Sequence, residues 1–587
     1  MKNHRLILPI LLLPALLFLL APQSLHAGSA TWNLNPATGD WNTASNWMPN
    51  TVPNGSTDIA TFGVSNTTAV SLSSPTTVAG IAFGSGASGF SITASPSLSL
   101  TIAGAGMTNN SGHAQKFDCP TDANGNFGSI IFNGNASAGY LCNYSTEPGR
   151  LSGVSGGLVQ FVNDSNVGQP TVTNLGSQIS GTLGVLGGET DFYASNAGNG
   201  TFIAAGAGPG GKNGGRIAFF TTSSAGTATF KALAGRDSAA GGGINFHDES
   251  SAEQGNFILA GASAQFATSG AVNFEDTATA ANGLFIIHQA SPDSELGFPG
   301  SVTFTSNSSA GNATFIADGD PFLPGAAAFI NFEDDSLGGT ARIELPGGQL
   351  FCTNHNAPGL TIGSLEGSGD VYLGTNLAIG ANNLSTTFSG TIIGASGAGS
   401  ITKVGTKKFT LSGSNTYGQG TTVAEGILEV ANTTGSATGP GAVEVNGGTL
   451  GGSGVIAGAV SLNFGATLAP ATNTTKQATL TIQSSLTFNS GSTYTCTFKT
   501  KEGQLRTDEV VAKGVTINGA TFNLSGVVQG TVNPGLVLTV ISNTGAIPIT
   551  GTFANLPDGA ILTVGGNNFQ ASYEGGDGND LTLTVVP

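Results

Sequence analysis

Apolar and polar residues alternate along most of this chain, and the alternation returns at a nearly fixed interval. Phe132, Phe161, Phe192, Phe219, Phe246, Phe274, Phe304 and Phe332 follow one another at steps of 27 to 31 residues. Each anchor closes a three-residue unit such as Ile244-Asn245-Phe246, Val272-Asn273-Phe274 or Ile330-Asn331-Phe332. Two places before the anchor stands Ile or Val in every unit but one, where Thr190 takes that place. Period-two alternation sends both apolar side chains to one face, which predicts a short strand at each anchor. A second apolar row follows nine to eleven residues behind, in Leu141, Val172, Phe202, Phe230, Phe257, Phe285, Phe315 and Ile343. Polar turns such as 221–226 and 306–311 separate the two rows, and Gly-rich stretches such as Gly241-Gly242-Gly243 lead into the next unit. Helical periodicity is absent beyond residue 27, where Gly or Ser interrupts nearly every window of helical length.

A repeat this short cannot bury its apolar edge alone; it must stack on its neighbours. A propeller blade needs four strands and roughly 40 residues or more, so the unit is too small for one. It fits one coil of a parallel β-solenoid, with like residues of successive coils about 4.8 Å apart and Phe ladders filling the interior. The chain reads as all-β. Its 91 Gly among 587 residues would suit disorder, but a hydrophobic fraction of 39% with regular Phe and Val positions argues for a packed core.

The N-terminus reads as an export signal. Lys2 and Arg5 precede the apolar run from Leu6 to Leu20, and Leu25-His26-Ala27 offers a cleavage site after Ala27. Nothing further along is apolar enough to span a bilayer as a helix. The mature chain is expected outside the cell or on its outer surface. A formal charge of −17 disfavours nucleic acid and anionic membranes, which need basic patches. Cys119, Cys142, Cys352 and Cys496 allow three pairings in an oxidising compartment. Cys119 and Cys142 lie 23 residues apart, close to one coil, which suggests a staple at the start of the array.

Before the array stand Trp32, Trp41 and Trp47, with strand-like pieces around Ala60-Phe62, Ile81-Phe83 and Leu98-Ile102. The tryptophans read as a plug over the open end of the solenoid, with a carbohydrate-stacking platform as the alternative. Downstream, Gly399-Ser400-Ile401-Thr402-Lys403-Val404-Gly405 leads to Phe409-Thr410-Leu411-Ser412-Gly413-Ser414-Asn415-Thr416-Tyr417. Gly420-Thr421-Thr422-Val423, Gly426-Ile427-Leu428, Gly441-Ala442-Val443 and Gly447-Gly448-Thr449-Leu450-Gly451-Gly452-Ser453-Gly454 follow in order. This run resembles the autotransporter-associated β-strand repeat of bacterial surface proteins. The resemblance implies a right-handed parallel β-helix at the surface of a Gram-negative bacterium, often adhesin-like. The chain then divides into a signal (1–27), a Trp-rich N-terminal β cap (28–125), eight coils (126–350), connecting β coils (351–398), the resembling repeat (399–470) and a C-terminal β region (471–587). The last region carries no run of amphipathic strands and ends in Val586-Pro587, so no translocator barrel is expected in it.

Candidate chemistry is sparse. Asn163-Asp164, His247-Asp248-Glu249, Glu275-Asp276 and Glu333-Asp334-Asp335 recur just after the anchors, with Thr305-Ser306 breaking the row. Such acids serve turns, a Ca2+ site, or paired-carboxylate glycoside hydrolysis. Gly575-Gly576-Asp577-Gly578-Asn579-Asp580 is similar to a calcium-binding nonapeptide in a single copy, and reads as a hairpin turn. Gly153-Val154-Ser155-Gly156-Gly157 fits a nucleophile elbow without the strand-to-helix crossover that motif requires. Ser400-Ile401-Thr402-Lys403 has Ser-x-x-Lys spacing inside a strand repeat. His113, His247, His288 and His355 show no metal-ligand spacing. No catalytic, cofactor-binding or metal residue is therefore nominated, and Ca2+ is the one cofactor the acids leave open. The reading is a non-enzymatic secreted or cell-surface spacer or adhesin with extracellular glycans or surface components as partners. The alternative is a polysaccharide lyase or glycoside hydrolase on the same β-helix. Binding loops are expected at the longer excursions, 206–215 and 292–300.

Overall fold

The computed structural model describes residues 28–178, 184–294, 296–320, 324–472, 477–501, 504–527 and 532–587. The expected export signal, 1–27, lies outside them. Within them the chain is a parallel β-helix, with three short 3-10 turns and no α-helix.

Strands that end in the anchor phenylalanines form one 16-stranded sheet, running from Trp47–Met48 at one edge to Thr391–Gly394 at the other. Its register is the one the spacing predicts: Phe132, Phe161, Phe192, Phe219, Phe246, Phe274, Phe304 and Phe332 stand opposite one another, coil after coil. The second row builds a second ladder, from Ala69–Ser71 through Thr229–Ala232 to Thr493–Lys501 and Thr521–Val527. It is open, since each strand pairs only with its neighbours along the axis. One member of the row differs from the sequence reading. Tyr144, and not Leu141, stands opposite Val172. A bulge between Tyr140 and Asn143 holds Leu141 at φ 53°, which turns it out of the core and puts the Tyr144 ring in.

Inside, the rings stack along the axis. Phe192, Phe219 and Phe246 lie 4.5 Å apart at interplanar angles of 4° and 3°. Phe257 and Phe285 repeat this in the second row at 4.5 Å and 5°. Across the coil the rows meet edge to face, as Phe219 and Phe230 do at 5.6 Å and 71°. Each such pair adds about 0.5–1.5 kcal/mol to the burial of the rings. Thr190, the exception among the Ile/Val positions, belongs to a buried polar node. Its hydroxyl and that of Thr146 both donate to Asn174 Oδ1 at 2.8 Å, and Asn174 Nδ2 donates to the Arg216 carbonyl.

Both ends close with antiparallel strands. At the N-terminus Ala30–Trp32 pairs antiparallel with Trp47–Met48. Trp32, Trp41 and Trp47 are 2%, 0% and 0% exposed and pack on Phe62 at 5.5 to 6.0 Å. Their indole N–H groups donate to the carbonyls of Thr67, Pro53 and Trp41. Buried rings with satisfied donors form a plug; they offer no face to a sugar. From Gly55–Phe62 onward the chain is already coiling, parallel to Thr76–Phe83 and then Ser99–Asn109. Past residue 360 an 8-stranded and a 7-stranded sheet take over two sides, and Val537–Asn543, Asp580–Val586, Asn567–Gly575 and Ile561–Val564 end the rod as an antiparallel set.

Candidate functional site

Each central coil makes two left-handed bends after its anchor strand, and these bends carry the surface chemistry. The first falls on Asp164 (φ 65°), Ala194 (45°), Thr221 (57°), Asp248 (56°), Asp276 (54°), Ser306 (56°) and Asp334 (53°). Short polar side chains tolerate this conformation and bond locally. Asp248 Oδ2 accepts the Thr221 N–H at 2.8 Å, Asp276 Oδ2 that of Asp248 at 3.1 Å, and Asp334 Oδ2 that of Ser306 at 3.1 Å. Asp248, Asp276 and Asp334 thus clip one coil's turn to the next. Among the described residues no group of three or more His, Cys, Asp or Glu is placed to hold a metal ion.

The second bend falls on Gly168 (φ 70°), Gly198 (61°) and Gly226 (58°), then on Glu253 (42°) and Ala281 (47°). Between the bends runs a third, minor ladder of single bridges: Asn166, Asn196, Ser224, Ser251, Thr279, Ser309. Asn196 Oδ1 accepts the Gly198 N–H at 2.6 Å and Ser251 Oγ that of Glu253 at 3.1 Å, so this ladder also builds the second bend. Over both bends of four coils lies a groove of about 690 Å³. Asp164, Ala194, Asn196, Gly198, Asn199, Thr222, Thr227, Glu253 and Gln254 contribute to its lining, which holds neither an aromatic ring nor a Lys or Arg.

A second cluster lies on the outer face of the anchor sheet. Glu189 pairs with Arg216 at 2.5 Å, and the register sets Asp191 opposite Ala218 one coil on. Asp191 is 8% exposed, and its Oδ1 has no partner. Burial, reinforced by the Glu189 carboxylate and partly offset by Arg216, pushes its carboxyl up to about 7. Beside it the rings of Tyr193, Phe220 and His247 stack at 4.7 and 5.0 Å, and His247 Nδ1 meets Glu275 Oε2 at 3.2 Å. Rings stacked on each other turn only their edges outward, so this column holds coils together and is no sugar platform.

The remaining motifs resolve into structure. Ser155 lies in an irregular connection between 150 and 157. Ser400 and Lys403 share a strand but point apart: Ser400 Oγ donates to Asn376 Oδ1, while Lys403 turns into the core. Lys403 Nζ donates to the carbonyls of Val404, Gly405 and Glu425 at 2.6, 2.7 and 3.2 Å, and burial lowers its ammonium to about 8. Gly575 and Asp580 pair across a hairpin turn, and Asp580 Oδ1 accepts the Asn543 N–H. All four cysteines are free and buried. The expected Cys119–Cys142 staple is absent because Cys119 stands opposite Thr146 and Cys142 opposite Gln115, four residues apart along one pair of strands. Burial pushes the thiols of Cys142, Cys352 and Cys496 up to about 12. The 206–215 excursion is bonded to its neighbours, with Ala207 N–H on Ala240 O and Gly210 N–H on Asp237 O. The other excursion, 292–300, includes Glu295, which lies outside the described residues; Phe298 there bonds Ala262 and Ala267 through its backbone. The groove lies on neither. Its signal in the sequence is subtle: Gly at three successive second bends, then Glu.

No family model matches the chain. The adhesin BmaC autotransporter of Brucella suis biovar 1 (strain 1330) is 40% identical over 116 residues, 18% of this chain. The chain spans only 3% of that relative's length. Among solved structures, the crystal structure of the Haemophilus influenzae Hap adhesin is similar over 90% of this chain and 64% of that one, at 11% identity and a TM-score of 0.31, too loose a likeness to bear on function. The stacked ladders show a parallel β-helix, and the segment similar to the Brucella protein fits a β-helix of the autotransporter-passenger kind.

Proposed function

We propose that this is a non-enzymatic, adhesin-like rod of the outer cell surface, exported through its N-terminal signal, which holds contact residues on the turns of a stiff array. The observation that carries the reading is the use made of the array's polar residues. The acids nearest to a catalytic arrangement, Asp248, Asp276 and Asp334, spend their carboxylates on neighbouring peptide N–H groups. Open hydrogen-bonding capacity lies instead along the groove between 164 and 254. A glycosidase needs two carboxylates within about 10 Å of each other, whereas Asp164 and Glu253 stand three coils apart, roughly 14 Å along the axis at ~4.8 Å per rung. A lyase needs a base beside a cation, and this groove holds no Lys or Arg. The shared segment with a protein named an adhesin supports the same reading. Purified residues 28–587, incubated with intact cells and a polysaccharide panel, are expected to bind saturably without turnover. Release of reducing or unsaturated sugar ends would overturn the proposal in favour of the enzyme.

A further inference from the structure

We infer that the groove over residues 164–254 binds a neutral or amine-bearing oligosaccharide laid along the coil axis, an inference that rests on the reading of the chain as a binding rod.

The shape of the groove follows from residue choice at the two bends. In the coil of Ala194 and Gly198 both left-handed positions are small, whereas the flanking coils carry Asp164 on one side and Thr221-Thr222 on the other. One coil further on, Glu253 replaces the glycines of the second bend and ends the groove. A glutamate at φ 42° holds a conformation that costs about 1–2 kcal/mol beside glycine. The groove covers four coils, so its floor runs for roughly 15 Å at ~4.8 Å per rung, and an extended sugar chain advances by a similar step per ring.

Its chemistry selects the ligand class. Among the described residues the Asp164 and Glu253 carboxylates, the Thr222 hydroxyl and the Gln254 amide have no protein partner, and all four are exposed. Hydroxyl and acetamido groups suit such a wall of mixed donors and acceptors. Two carboxylates with no cation in the lining repel uronates and sulfated sugars and attract amines. Without aromatic rings, recognition rests on hydrogen bonds and water bridges, so binding is weak per site.

Calorimetric titration of residues 28–587 with tetrasaccharides of N-acetylglucosamine, glucosamine and galacturonate tests this, alongside adhesion of the same protein to cells. The first two are expected to bind, glucosamine the more tightly at low salt, and galacturonate not to bind. Asn199→Trp, which fills the groove from an exposed position, should weaken both at least about tenfold. Glu253→Lys brings the lining from two negative charges to no net charge, so it should remove the preference for glucosamine over N-acetylglucosamine. Tighter binding of galacturonate by the unaltered chain, or tetrasaccharide binding untouched by Asn199→Trp, would overturn the inference. Adhesion without binding of any tetrasaccharide would overturn it too while leaving the adhesin reading intact, whereas loss of both would remove that reading as well.

Discussion

The central coils and the coils of 399–470 follow one plan with different fillings. In the centre successive coils advance by 27 to 31 residues, and the interior is two facing ladders of phenylalanine. In the later segment Ile401, Thr421, Val443 and Val460 stand in register at steps of 17 to 22 residues, and the interior is mostly aliphatic, with Val423, Leu428, Val445 and Leu450 around the single rings of Phe409 and Tyr417 in place of ring ladders. A longer loop of chain encloses a wider space, and close packing then demands rings. A shorter one turns so tightly that Val and Leu fill it. The tight turn has its own cost, because carbonyls end up facing inward. Lys403, placed in the column Ile379, Lys403, Val423, Val445, answers it with an ammonium on three carbonyls. Coil length thus goes with the size of the core side chain, while both segments carry a buried polar node, Asn174 with Thr146 and Thr190 in the centre and Lys403 in the later coils.

The sharpest way to break this comparison is to empty each core in turn. Phe246→Ala removes a ring stacked on Phe219 and Phe274 at 4.5 and 4.7 Å, and should cost about 3–5 kcal/mol. Leu428→Ala should cost ~2–3 kcal/mol, because a narrow glycine-rich coil closes more readily over the gap. Urea unfolding followed by hydrogen exchange separates the two segments, and equal costs would mean that coil width does not set the penalty. Next in size, Lys403→Met keeps the bulk but strands three carbonyls, for about 2–3 kcal/mol, read as faster exchange of amides in 399–430. If exchange there is unchanged, water serves those carbonyls as well as the ammonium does.

Asp191 tests whether the central array tolerates a charge. Its carboxyl in the fold titrates at about 7, above the ~3.9 of an unfolded chain. Between those values the unfolded chain gives up a proton that the folded one keeps. The stabilising effect of the protonated form is therefore full below about pH 4, declines as pH rises towards about 7, and is gone above it. Asp191→Asn should flatten that decline and stabilise the central coils at pH 8 by about 1–3 kcal/mol, as thermal unfolding across pH would show. A slope that persists unchanged in the variant would rule out Asp191 as its source. Smallest of all, Asp276→Ala loses one clip to the Asp248 N–H and places Ala at φ 54°, for ~1–2 kcal/mol. No change in the melting temperature would make the acid row dispensable to the stacking.

Spacing made most of the array legible. The anchors had to be in register because only equal steps keep Phe over Phe, and the Trp-rich start had to be covered because three indoles cannot remain in water together. The second row was legible from Val172 onward but not at Leu141, where a bulge moved the pairing to Tyr144. The acids after the anchors were legible as turn residues, while the partner of each carboxylate, a peptide N–H one coil away, was not. The groove escaped altogether, since attention went to the long excursions, whose backbone bonds to the coils beside them.

By itself the sequence determined the β-helix, its coil length and the identity of its core, because period and alternation act through local backbone geometry and the need to bury every unit against the next. The tertiary structure alone decided what lies side by side across coils: which thiols stay apart, which carboxylates are used up, and where two small residues at separate bends leave a groove. Those outcomes depend on distances between residues about 28 apart in sequence, and a bulge such as that between Tyr140 and Asn143 changes which residues meet.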